Sequence, residues 1–217
     1  MNSKIKNSGS KKPFLIIAPL VLMLTVYLAL TPLVDKFELA RGLLYGYLFY
    51  WGFWCIIFPL WAVGLEGFKK VFAPSAKNIG KMGRLLLALP VIIYPVYLLP
   101  EIWHELTITV VLLLLPVALV NGTLEELLWR GTYVTVFPDK LLPGYLFPSI
   151  AFGVWHVAPY AVMPGFSAAG AVMVILGGTM FGLCWGWAAW KCGSIRLSVL
   201  SHVFANFLAM GAISFMS

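Results

Sequence analysis

Three short stretches of this sequence put polar, ionisable side chains where the neighbours are apolar. The first is Glu125-Glu126-Leu-Leu-Trp-Arg130, the second ends in His156, and the third carries His202 and Asn206. On a helix Glu126 and Arg130 are four residues apart with the acid first, the favourable order for an ion pair. Paired, each makes the other tolerable in a low dielectric. Glu125 points about 100° away on a helix of 3.6 residues per turn. It has no expected partner in its own helix and is free to face a cavity as a general base. His202 and Asn206 share a helix face by the same spacing, and both can donate hydrogen bonds. His156 stands alone on another segment. A carboxylate, two histidines and a carboxamide suit one chemistry: activate a water and stabilise an oxyanion. Glu125 and His156 are expected to hold and deprotonate the water, with His202 and Asn206 on the oxyanion. That is peptide-bond hydrolysis without a serine, a cysteine or a cofactor.

The elements that must position these groups are membrane helices. The chain has 217 residues, 61% of them hydrophobic, and only 11% are charged, against ~25% in soluble domains. A soluble or disordered protein is excluded, and a polytopic all-α bundle is expected. Apolar runs give seven candidate spans at 14–34, 42–65, 85–99, 106–134, 145–163, 167–190 and 195–215. The third is the weakest, since Pro90, Pro95 and Pro100 interrupt it. Residues 1–105 read as a tail with three helices, and 106–217 as the catalytic helix core. Gly178, Gly182 and Gly186 recur every four residues in the sixth span, a spacing that lets helices approach closely.

Charge gives the orientation. The tail holds Lys4, Lys6, Lys11 and Lys12. The loop after the second span holds Lys69, Lys70, Lys77, Lys81 and Arg84 against Glu66, and Lys140 and Lys191 fall in the same alternation. The opposite loops are neutral or acidic, with Glu101 and Glu105. By the positive-inside rule the N-terminus is inside and the C-terminus outside. The net charge of +7 therefore reports topology and not nucleic-acid binding. In this register Glu125, His156, His202 and Asn206 all fall about 10–17 Å below the inner surface at 1.5 Å per residue. Water is expected to reach them from that inner side.

Rival readings have their own signatures. Zinc could be held by Glu125, His156 and His202 with one position open, but that leaves Asn206 without a role, so a metal-free reaction is the expectation and zinc the alternative. His104-Glu105 begins an HExxH string without its second histidine. Cys55, Cys184 and Cys192 show no paired spacing. A proton-coupled transporter would use Glu and His chains but would show inverted repeats, and none is found. A non-catalytic membrane chaperone built on the same scaffold is the remaining alternative. No DDxxD-like site for diphosphate-lipid chemistry is present.

The same residues carry a resemblance. Glu125-Glu126-Leu-Leu-Trp-Arg130 resembles the EExxxR motif of the CPBP family of CAAX proteases and bacteriocin-processing enzymes. Phe152-Gly-Val-Trp-His156 resembles its FxxxH motif, and His202-Val-Phe-Ala-Asn206 its HxxxN motif. The three stand in order on separate segments from residue 106 onward. The resemblance implies an intramembrane endopeptidase with Glu125 as catalytic carboxylate, His156 its partner on the water, and His202 and Asn206 on the oxyanion side. Glu126 and Arg130 become the supporting pair. It further implies a multi-pass protein of a prokaryotic cell membrane acting on a membrane-associated peptide or protein. Prenylated CAAX proteins, bacteriocin or pheromone leaders, and sorting signals are all candidate substrates.

Overall fold

A computed structural model describes residues 11–75 and 77–216, all helix and connecting turn with no strand among them. Lys4 and Lys6, and the side chains of Glu101 and Glu105, lie outside the described residues. Seven helical elements follow in order: α1 Lys12–Phe37, α2 Leu39–Val71, α3 Gly80–Ile102, α4 Ile108–Val136, α5 over 142–155, α6 Ala168–Cys192 and α7 Arg196–Met216. Five of them, α1 to α4 and α6, are long and apolar enough to cross a membrane. Their outward faces carry exposed Leu20, Leu24, Leu28, Leu112 and Leu113, as a lipid-facing surface requires. The chain is an integral membrane helix bundle.

The fifth expected span differs from expectation. Instead of one helix over 145–163, the chain forms a wide π turn at Leu142–Leu146, an α-helix at Phe147–Trp155 and a single turn at Val157–Tyr160. The break falls at His156, and Pro159 explains it. A proline there has no N–H for the Trp155 carbonyl, and its ring crowds that carbonyl. The third span runs the other way: α3 continues as one helix through Pro90, Pro95 and Pro100. α2 and α4 also carry π stretches, at Tyr50–Ile57 and Leu127–Gly131. In α4 the Thr132 hydroxyl donates to the Leu127 carbonyl five residues back at 3.0 Å. Such wide turns inside helices are frequent at functional sites.

Close approaches set the packing. At Gly42 an added Cβ would meet the Val34 Cα at 2.5 Å, so only glycine lets α2 fold back on α1 through the turn at Glu38. The glycine stripe of α6 packs on α5 as expected: a Cβ on Gly182 would lie 2.6 Å from the Ser149 carbonyl oxygen. α6 starts with the Ser167 hydroxyl accepting from the Gly170 N–H at 3.1 Å, and stops at Gly193 in the left-handed conformation.

One end of the bundle gathers the start of α1 and the ends of α2, α4 and α6. Lys11 Nζ donates to the Trp61 carbonyl of α2, and Lys12 lies over the Phe137 ring just past α4. The Ile195 N–H donates to the Val71 carbonyl at 2.9 Å, and the Ser75 hydroxyl to the Cys192 carbonyl at 2.7 Å. Lys69, Lys70, Lys77 and Lys191 belong to this same basic end, as the charge alternation expected.

Candidate active site

α4 delivers the two carboxylates, and they go different ways. Glu126 is fully buried. Its Oε1 lies 2.8 Å from an Arg130 guanidinium nitrogen and 2.9 Å from His202 Nδ1. The guanidinium also sits over the Phe152 ring at 4.2 Å and near Trp185 at 5.5 Å. The His202 ring stacks on Trp185 with centroids 3.8 Å apart, and Trp185 Nε1 donates to the Ser201 hydroxyl at 2.9 Å. The expected ion pair is present, and the third motif is bolted to it through His202.

Glu125 is 3% exposed yet lines a chamber. Its Oε1 accepts from the Tyr50 hydroxyl at 3.1 Å and from Trp155 Nε1 at 3.3 Å. Its Oε2 accepts from Asn121 Nδ2 at 3.0 Å, and His202 Nε2 stands 3.5 Å from the same oxygen. This corrects the expectation that Glu125 lacks a partner in its own helix: Asn121, one turn earlier, is that partner. Further support lies behind these donors. Trp51 Nε1 donates to Asn121 Oδ1 at 2.8 Å, which fixes the amide with its NH₂ toward Glu125. Trp129 Nε1 donates to the Tyr50 hydroxyl at 3.0 Å, and the Tyr50 and Trp155 rings stack at 4.2 Å.

Sequence reasoning missed Tyr50, Asn121 and Trp155. Asn121 was findable, because it stands four residues before Glu125, the spacing already used for His202 and Asn206. Trp155 precedes His156 directly but carries no mark of its role. Tyr50 lies far away in the chain, and the π stretch that aims it has no sequence signal.

His156 sits at the break after α5. Its Nδ1 is 2.7 Å from the Phe152 carbonyl oxygen. A carbonyl only accepts, so Nδ1 carries the proton and Nε2 is left as the acceptor. Asn206 Nδ2 is buried with no hydrogen-bond partner among the described residues. Glu125, His156 and Asn206 together line a chamber of about 390 Å³. His156 and Asn206 also line a second cavity of about 160 Å³ with His202, Tyr94 and Tyr160.

The direction of the chamber departs from expectation. Its walls run from Glu125 along the first half of α4 to Leu114, along the first part of α2 to Ala40, and along α7 to Met210. All three lead away from the basic end. Toward the basic end every residue of α4 from Glu125 to Val134 is buried, with Trp129 and Tyr133 filling the space. The shortest route by residue count is closed by packing.

A metal ion fits poorly. Among the described residues no three His, Cys, Asp or Glu side chains stand close enough to share one. Zinc ligands lie about 2.0–2.2 Å from the ion, while Tyr50, Trp155 and Asn121 already occupy both Glu125 oxygens and Glu126 occupies His202 Nδ1.

No curated protein and no solved structure matches the chain. A family description does match: type II CAAX prenyl endopeptidase Rce1-like, over residues 107–208. That stretch begins at the N-cap of α4 and ends beyond Asn206, so it contains all three motifs and the chamber's polar floor. Over residues 107–208, a little under half of its length, the chain is similar to the Rce1-like type II CAAX prenyl endopeptidases.

Proposed function

We propose that the protein is a glutamate-type intramembrane endopeptidase. The observation that carries this reading is the chamber lined by Glu125, His156 and Asn206 inside an apolar bundle, with the Asn206 NH₂ free of hydrogen-bond partners among the described residues. A water held between the Glu125 carboxylate and His156 Nε2 gives its proton to Glu125. The resulting hydroxide attacks the scissile carbonyl carbon. The oxyanion takes the Asn206 NH₂, with His202 beside it; one such donor contributes about 10²–10³ in rate. Glu125 then passes its proton to the leaving nitrogen as the C–N bond breaks, giving a carboxylate and an amine. Glu126 and Arg130 hold His202 in place and touch no reacting atom.

The two cavities meeting at His156 and Asn206 favour cleavage within a chain, since they leave room on both sides of the scissile bond. Tight support of Glu125 by three neutral donors favours a metal-free reaction. A membrane-associated peptide or protein is the substrate class, and a prokaryotic cell membrane with the N-terminus inside is the proposed setting. The experiment compares membrane-peptide fragments between cells carrying the wild type and Glu125→Gln. Fragments lost in the variant identify the substrate, and identical fragment sets overturn the reading. With a substrate in hand, 1,10-phenanthroline should leave activity unchanged. Stoichiometric zinc whose removal abolishes activity and whose return restores it would establish the metal alternative.

A further inference from the structure

We infer that the chamber is a lateral entrance for an apolar polypeptide segment, opening in the half of the bilayer away from the basic end. The inference rests on the endopeptidase reading for what happens inside, but not for where the mouth is. Two observations carry it. The first is the grading of the walls. Asn121, Glu125, His156 and Asn206 form the deep end, whereas Leu43, Leu44, Leu114 and Val117 form the approach. The approach is exposed at its rim, with Leu44 49% and Val117 38% exposed. These two side chains belong to α2 and α4, so the mouth opens sideways between those helices and toward lipid. The walls of α4 from Leu114 to Glu125 span about 16 Å at 1.5 Å per residue, enough for several residues of an extended chain.

The second observation is the closure of the opposite half. Arg130, Trp129 and Tyr133 are all at most 2% exposed, and the guanidinium is sandwiched against Phe152 and Trp185. Nothing of peptide size passes there. Since basic residues mark the cytoplasmic end, the mouth lies in the outer half of the membrane. The substrate is then a segment whose apolar residues flank the scissile bond and reach the site through the outer leaflet.

The test places a thiol on the chamber wall outside the proposed machinery. Ala209→Cys is made in full-length chain carrying Cys192→Ser, Cys55 and Cys184 being buried. Lys81→Cys in the same background reports the basic side. Each is exposed to a small impermeant thiosulfonate in intact cells and in inverted vesicles. The expected result is reaction of Ala209→Cys in intact cells, reaction of Lys81→Cys in inverted vesicles, and loss of most Ala209→Cys labelling when Leu44→Trp and Val117→Trp narrow the mouth. Reaction of both thiols from the same side, no reaction of Ala209→Cys from either, or indifference to the tryptophans overturns the inference. Repeating the labelling with Glu125→Gln separates this from the proposed chemistry: normal labelling in both chains, with identical membrane-peptide fragments from wild type and Glu125→Gln, refutes the protease reading alone.

Discussion

The two halves of the bundle use one short stretch of α4 in opposite ways. Toward the basic end, Glu126 and Arg130 are buried, the guanidinium against Phe152 and Trp185, and each charge has its counter-charge. Away from it, Glu125 faces a chamber and is held by hydroxyl, indole and amide donors that bring no opposing full charge. Adjacent residues on a helix differ by about 100° in direction, so one turn of α4 serves both. The lesson is a division of labour. On the proposed reading, the charged pair fixes the scaffold, and the neutral cage keeps a second carboxylate available for a proton.

The sharpest way to break this comparison is to neutralise each half. Glu125→Gln keeps the shape and removes the base, so cleavage should fall by about 10²–10⁴-fold, and His156→Ala should do the same. Both variants should still insert and fold, as read by yield and by melting in detergent. Retained activity in either, on a confirmed substrate, removes the open half from the chemistry.

Arg130→Ala addresses the sealed half. It strands the buried Glu126 charge with His202 as its remaining partner, and breaking a buried pair costs about 3–5 kcal/mol. Its melting temperature in detergent should therefore fall well below that of Glu125→Gln. The reverse order would mean that Glu125, and not Glu126, is the scaffold carboxylate.

Asn206→Ala separates the halves differently. The Asn206 NH₂ has no hydrogen-bond partner among the described residues, so its loss should leave melting nearly unchanged. If it holds the oxyanion, kcat should fall by about 10²–10³-fold with little change in KM. A variant that loses stability instead would place Asn206 among the packing residues.

Much of this contrast was legible in the sequence. The i,i+4 rule anticipated the Glu126–Arg130 pair, and apolar runs located the five full-length helices. Period and hydropathy cannot see the π stretches, because these change the register of a helix without changing its composition. That is why Tyr50 was missed. The break at His156, inside the span expected over 145–163, has a different cause: Pro159 was in the sequence, but the apolar run continues across it. The position of the chamber was misjudged for a related reason. Counting residues to the nearest surface ignores whether side chains fill the path, and Trp129, Tyr133 and Trp185 fill it.

The mildest prediction probes the cage itself. Tyr50 is a relay: Trp129 Nε1 donates to its hydroxyl, and that hydroxyl donates to Glu125 Oε1. Tyr50→Phe removes the oxygen but keeps the ring stacked on Trp155. Glu125 then retains Trp155 and Asn121, so it should stay in position. A single neutral hydrogen bond contributes about 0.5–1.5 kcal/mol net, which corresponds to a loss of roughly 2–12-fold in rate. The stranded Trp129 N–H should lower stability by about 1–3 kcal/mol, less than Arg130→Ala does. Rates and melting curves measured on the two variants side by side decide the matter. If Tyr50→Phe is as inactive as Glu125→Gln, the tyrosine hydroxyl takes part in proton transfer and is no mere support. If it changes neither rate nor melting, the neutral cage around Glu125 has no energetic weight and the contrast between the two carboxylates rests on burial alone.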